Sequence, residues 1–214
     1  MIEKKNNLKE GNRKQYQNDQ KYIGKFNQDK FHDENGILKH KKVVIYKGGF
    51  NMGTKEGLGK EFDFETNNLK YQGTFMNDLR NTKNGKLFFE DRKNIRYQGE
   101  FREGKPYAKE GETDDLGKIF YKNGCIEYIG EIKNGIPNGW GKVFMNEGAS
   151  SNKHFDNEGN KMVIKKVTLK GERFFIDGKL NKEKTIKKIK KRIDYFSEKI
   201  QNDYNNEEKN KIYD

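Results

Sequence analysis

Hydrophobic and polar residues alternate along most of this chain, and glycine punctuates the alternation. The recurring form is Tyr-x-Gly-x-Phe, at Tyr22-Ile-Gly24-Lys-Phe26, Tyr46-Lys-Gly48-Gly-Phe50, Tyr71-Gln-Gly73-Thr-Phe75 and Tyr97-Gln-Gly99-Glu-Phe101. A fifth copy, Tyr128-Ile-Gly130-Glu-Ile132, ends in isoleucine. A period of two belongs to a β-strand, where alternate side chains share a face. Tyr, Gly and Phe therefore line one side, and Lys25, Lys47, Gln72 and Gln98 leave the other side wet. A bare glycine weakens a strand unless a ring from a neighbour lies over the gap, so successive strands are predicted to share an aromatic seam. Five Asn-Gly pairs, at 35–36, 84–85, 123–124, 134–135 and 138–139, predict tight hairpin turns.

After Asp177-Gly178 the period changes. Ile186, Ile189, Ile193, Phe196 and Ile200 recur every three or four residues, which predicts a helix with one apolar stripe. Asn181 is placed to cap it. Two roles are open: the stripe folds back to cover an open sheet edge, or it combines with Lys184, Lys187, Lys188, Lys190, Lys191 and Arg192 as a basic amphipathic helix for an acidic partner or membrane surface. At the other end, residues 1–20 are polar and are expected to form a flexible arm.

The Tyr-x-Gly copies start 24, 25, 26 and 31 residues apart. After Tyr46 come Gly53, Gly57, Gly59 and Phe62, and after Tyr128 come Gly135, Gly139, Gly141 and Phe144, at identical offsets. The first offset is filled by Asp29, Asp78 and Gly104 in the other copies, and a degenerate sixth copy starts at Leu169-Lys-Gly171 with Asp177-Gly178 as its turn. This pattern resembles the MORN (membrane occupation and recognition nexus) repeat. The resemblance implies an all-β architecture: an elongated single antiparallel sheet of stacked β-hairpins over 21–180, with a C-terminal α-helix and tail over 181–214. It also implies a shallow ring-lined groove, and a scaffold role of the kind MORN proteins fill in ciliary and other cytoskeletal assemblies. Segments 102–118 and 145–162 look like insertions that interrupt the groove.

Composition narrows the function. The chain has 214 residues, 13% aromatic and 36% charged, with a formal net charge of +12. The aromatics separate it from disordered sequences. No stretch approaches the roughly 18 apolar residues of a membrane span, and the charged start has no apolar leader. The single Cys125 rules out an internal disulfide framework and suits a reducing compartment. An intracellular, cytoskeletal address is expected.

Catalytic chemistry finds no foothold. Gly99-Glu-Phe-Arg-Glu-Gly104-Lys105 matches most of a phosphate-binding loop, but Pro106 stands where a metal-binding hydroxyl belongs. His32, His40 and His154 are scattered, and no Cys/His set has zinc spacing. No enzyme activity, cofactor or metal is expected. The expected partners are other proteins of an assembly, including an acidic surface such as tubulin. A peripheral membrane adaptor, or a regulatory module of an enzyme on another chain, is the alternative, and nucleic acid is disfavoured. The contact residues expected in the groove are Tyr46, Phe50, Tyr71, Phe75, Tyr97, Phe101, Tyr128 and Trp140, with the helix as a second surface.

Overall fold

A strand, two turn-forming residues and a return strand are repeated six times in the computed structural model of the protein, and in the first four units a glycine in the leading strand has a ring on each side. The structure describes residues 11–17, 19–90, 94–113, 115–149, 154–155, 161–162 and 165–211, with side chains over 19–146, 169–195 and 197–199 outside those gaps. A leading strand, β1 (Gly11–Gln17), pairs with β2 (Gln20–Asn27). The first unit is β2 with the short β3 (Lys30–Phe31) and β4 (Asp33–His40). The second is β5 (Val43–Asn51) and β6 (Thr54–Phe62), and the third β7 (Leu69–Met76), β8 (Leu79–Arg80) and β9 (Thr82–Phe88). The fourth joins β10 (Ile95–Arg102) to β11 (Lys105–Ala108) and β12 (Gly117–Phe120), and the fifth joins β13 (Ile126–Lys133) to β14 (Ile136–Ala149). A separate two-stranded ribbon, β15 (His154–Phe155) and β16 (Lys161–Met162), precedes the sixth unit, β17 (Lys165–Ile176) and β18 (Lys179–Leu180). Apart from β15 and β16, the strands form one antiparallel sheet in near-sequential order, and α1 (Lys182–Lys211) follows. The all-β sheet of stacked hairpins with one C-terminal helix is therefore the observed fold.

Each unit turns through two residues that both have positive φ, the type I′ arrangement that matches strand twist. The pairs are Gln28-Asp29, Met52-Gly53, Asn77-Asp78, Glu103-Gly104, Asn134-Gly135 and Asp177-Gly178. Only one of the five Asn-Gly pairs, Asn134-Gly135, forms such a turn. Asn123-Gly124 lies in the loop between β12 and β13, and the other three lie inside β4, β9 and β14. Their glycines serve the sheet interior instead.

That interior holds a row of glycines facing one another across the strands. Gly36 pairs with Gly48, Gly48 with Gly59, Gly59 with Gly73, Gly85 with Gly99, Gly117 with Gly130, and Gly130 with Gly141. The tyrosines of the first five units, Tyr22, Tyr46, Tyr71, Tyr97 and Tyr128, lie over this row. A Cβ on Gly59 would stand 2.7 Å from Tyr46 Cε2, and one on Gly141 would collide with Tyr128. Most of these glycines are covered by the tyrosine of their own unit, whereas Gly85 is met by Phe101 of the next unit and Gly36 by both Tyr22 and Phe50.

The first three tyrosines then pack edge-on between two phenylalanines, one of their own unit and one of the next. Tyr46 meets Phe50 of its own unit at 5.1 Å and Phe75 of the next at 5.1 Å, and Tyr71 meets Phe75 at 5.2 Å and Phe101 at 4.9 Å. Edge-to-face geometry at these separations is favourable beyond area burial alone. Successive turns are also joined by backbone bonds: the N–H groups of Gly53, Asp78, Gly104, Gly135 and Gly178 donate to Phe31, Lys55, Arg80, Pro106 and Pro137 at 2.9–3.2 Å. The last bond marks 165–180 as a genuine sixth unit. Its register starts at Gly171, not Leu169: Arg173 pairs with Gly141, and Phe175 meets the Tyr128 ring at 5.6 Å.

Two further expectations are corrected. Residues 11–17, expected within the arm, form β1 in full register with β2 because their backbone completes an otherwise open edge; residues 1–10 lie outside the described residues. The insertion expected at 102–118 is narrower, since Lys105–Ala108 and Gly117–Phe120 both pair in the sheet and, of the described residues between them, 109–113 and 115–116 loop out.

Candidate functional site

The rings expected to line a partner groove are assembled as a row but are closed to a partner. Tyr46 and Tyr71 are fully buried, as are Phe101 and, within a few per cent, Phe50, Phe75, Tyr97 and Tyr128. Each tyrosine hydroxyl donates to the carbonyl three residues on: Tyr46 to Gly49 at 3.0 Å, Tyr71 to Thr74 at 3.1 Å, Tyr97 to Glu100 at 3.0 Å and Tyr128 to Glu131 at 3.1 Å. Burial pushes all of these phenols above their ordinary pKa. They are a core, with no free polar handle.

The residue opposite each phenylalanine covers the ring row from above. Phe31 stacks on Tyr22 at 4.0 Å, Lys55 Nζ sits 4.9 Å from the Tyr46 ring centre, and Arg80 sits 4.7 Å from that of Tyr71. Glu61 joins the two cations, at 2.9 Å to Lys55 and 2.6 Å to Arg80. Burial alone would raise the Glu61 carboxyl, yet Arg80 and Lys55 hold it below its usual range. Both prolines of the chain, Pro106 and Pro137, occupy the same covering position, opposite Phe101 and Ile132.

Trp140 is the exception among the expected groove residues. It lies on the opposite, outer face of the sheet, half-buried beneath α1. Asn181 does cap α1, its Oδ1 accepting the Lys184 N–H at 2.9 Å. The buried Thr185 hydroxyl donates to the Asn181 carbonyl at 2.8 Å and accepts the Phe174 N–H at 3.0 Å. Lys184 Nζ lies 4.0 Å from the Phe174 ring centre and Lys188 Nζ lies 3.9 Å from that of Trp140. Glu172 takes Lys188 at 3.3 Å and Arg192 at 3.1 Å.

The helix therefore docks through its basic side, and the reading of the isoleucine stripe as a cap is overturned. Ile186, Ile189 and Ile193 are 52%, 44% and 58% exposed, and Lys187, Lys190 and Lys191 are exposed beside them. The side chains of Phe196 and Ile200 lie outside the described residues. The cause is local. Trp140 and Phe174 offer π faces, and Glu172 offers charge, so ammonium groups with long methylene stems fit better than branched aliphatics.

One surface escaped the sequence reading. Register pairs place Lys47 beside Lys60, Lys60 beside Gln72, Gln72 beside Lys86, Lys86 beside Gln98, Gln98 beside Lys118, Lys118 beside Ile129, and Ile129 beside Lys142. Residues directly opposite in an antiparallel pair share a face, so these form one continuous row on the outer face. The alternation in the leading strands predicts Lys47, Gln72 and Gln98 as wet positions, but their partners on the return strands, Lys60, Lys86, Lys118 and Lys142, follow only from the register.

Gly104 of the phosphate-loop-like segment sits in a turn and Lys105-Pro106 in β11. Cys125 is buried. Among the described residues no group of three His, Cys, Asp or Glu is placed to hold a metal, and no helix is long and apolar enough to cross a membrane. No family model matches the chain, and no curated protein matches it either.

Proposed function

We propose that this chain is a non-catalytic scaffold of MORN type that holds other proteins in a large cytoskeletal assembly such as a ciliary axoneme. The observation that supports it is the open sheet of six hairpin units, each joined to the next by the same turn-to-turn bond and, at every boundary but the fourth-to-fifth, by a tyrosine–phenylalanine contact. Such a quasi-one-dimensional array offers a long repeated surface. The location in a cilium comes from the MORN resemblance. Cross-linking of the chain in its native extract tests the proposal. Several cytoskeletal proteins joined through outer-face lysines are expected; a single catalytic partner would replace this reading with that of a regulatory module.

A second reading, a peripheral membrane adaptor, is favoured by the exposed Ile186, Ile189 and Ile193 next to exposed lysines. That pairing is what an interfacial helix uses against anionic lipid. Flotation of the full chain with vesicles containing acidic lipid at physiological salt decides it. Binding lost in an Ile186→Ser/Ile193→Ser variant would establish the adaptor, and absence of flotation rejects it.

A further inference from the structure

We propose that the outer-face row from Lys47 to Lys142 is a binding track for an extended acidic segment of a partner protein. The inference rests on the scaffold reading and names the chemistry of its partner. Along the row stand five lysines, Lys47, Lys60, Lys86, Lys118 and Lys142, with Gln72 and Gln98 between them and one apolar member, Ile129. Lys47, Lys60, Gln72 and Lys142 are exposed and the others half-buried. Adjacent strands lie about 4.8 Å apart, so the seven steps from Lys47 to Lys142 span about 34 Å, the length of roughly ten residues of extended chain. Carboxylates of such a segment meet ammonium groups, while the Gln72 amide and the second N–H of Gln98, whose first donates to Asn84 Oδ1 at 3.0 Å, donate to its carboxylates or backbone carbonyls.

The flanks of the row select a line of negative charge over a plane of it. Glu56, Glu100 and Glu131 lie on the same face, on the turn side of the row. Each is already engaged: Glu56 accepts the Asn77 N–H at 3.1 Å, Glu100 pairs with Arg102 at 2.6 Å, and Glu131 accepts the Trp140 N–H at 2.5 Å. A flat anionic bilayer pressed on this face would meet those glutamates as well as the lysines, whereas a single extended strand would not. Single-stranded nucleic acid is disfavoured for another reason. Its sequence-tolerant binding uses aromatic platforms for base stacking, and the ring row is buried on the opposite face. At one end the track stops at Glu172, which pairs with Lys142 in register and holds Lys188 and Arg192 of α1.

The test is binding of a fluorescein-labelled twelve-residue polyglutamate peptide to the full chain, followed by anisotropy at low and physiological salt. Two charge-matched variants are compared, Lys47→Glu/Lys60→Glu on the row and Lys41→Glu/Lys42→Glu off it. All four positions are exposed, so both should keep the melting transition of the parent. The row variant should bind at least about tenfold more weakly and the control about as well as the parent. Equal weakening in both, or no binding at low salt, overturns the track. Tighter binding to acidic vesicles or to an oligothymidylate than to the peptide overturns its assignment to an acidic polypeptide. Either failure leaves the scaffold reading intact if cross-linking still finds protein neighbours.

Discussion

At the residue scale the fold depends on what glycine lacks and what tyrosine brings. Tyr46 can lie flat across Gly48 and Gly59 only because neither carries a Cβ, and its hydroxyl then reaches the Gly49 carbonyl at 3.0 Å. Two substitutions separate these roles. Gly59→Ala places a methyl group 2.7 Å from Tyr46 Cε2. Moving the ring to relieve that contact also breaks its hydrogen bond, so a loss of about 2–4 kcal/mol is expected. Tyr46→Phe removes the hydroxyl alone and should cost about 1–2 kcal/mol through the unpaired carbonyl. In the double variant the loss should be less than the sum, because the hydrogen bond can be lost only once. Chemical denaturation of the four proteins measures this. Strict additivity would mean that the ring and the glycine do not act together.

At the element scale, the repeat was legible in the sequence but its punctuation was misread. Asn-Gly is the strongest hairpin dipeptide, yet here glycine is also required in mid-strand, so Asn35-Gly36 and Asn84-Gly85 carry the turn pattern without a turn. The true turns were visible as the first shared offset after each tyrosine, where Asp29, Gly53, Asp78, Gly104 and Gly135 recur. The helix was likewise legible in period and cap but not in orientation. Ile186 and Ile193 identify an apolar face, whereas the docking face is chosen by Phe174 and Glu172 on the preceding strand and by Trp140 on the strand beside it, which only the register brings together. The turn assignment makes a prediction. Met52 has φ 47° at the first position of its turn, a conformation that costs an ordinary side chain about 1 kcal/mol and that asparagine tolerates. Met52→Asn should therefore raise stability by about 0.5–1 kcal/mol in thermal melts. A loss of stability would contradict the type I′ geometry.

At the scale of the whole molecule, stability passes from unit to unit, so it is limited by the weakest seam. Rings meet across every boundary from the first unit to the fourth: Tyr22 with Phe50 at 5.2 Å, Tyr46 with Phe75 at 5.1 Å and Tyr71 with Phe101 at 4.9 Å. Between the fourth and fifth units Ile132 takes the phenylalanine place, and the return strand is divided by the loop at 109–116. The far end is thinner still, with Phe175 half-buried and Leu169 and Leu180 51% and 44% exposed. In an array held by nearest-neighbour contacts, local opening begins at such ends and seams. Native-state hydrogen exchange should find the slowest amides in β5, β6, β7 and β9. Those of β13, β14 and β17 should exchange together through a lower-energy opening, revealed by a smaller denaturant concentration at which their rates rise. Exchange of both blocks through one common opening would show instead that the isoleucine seam couples the units as tightly as the aromatic ones, and that the sheet unfolds as a single body.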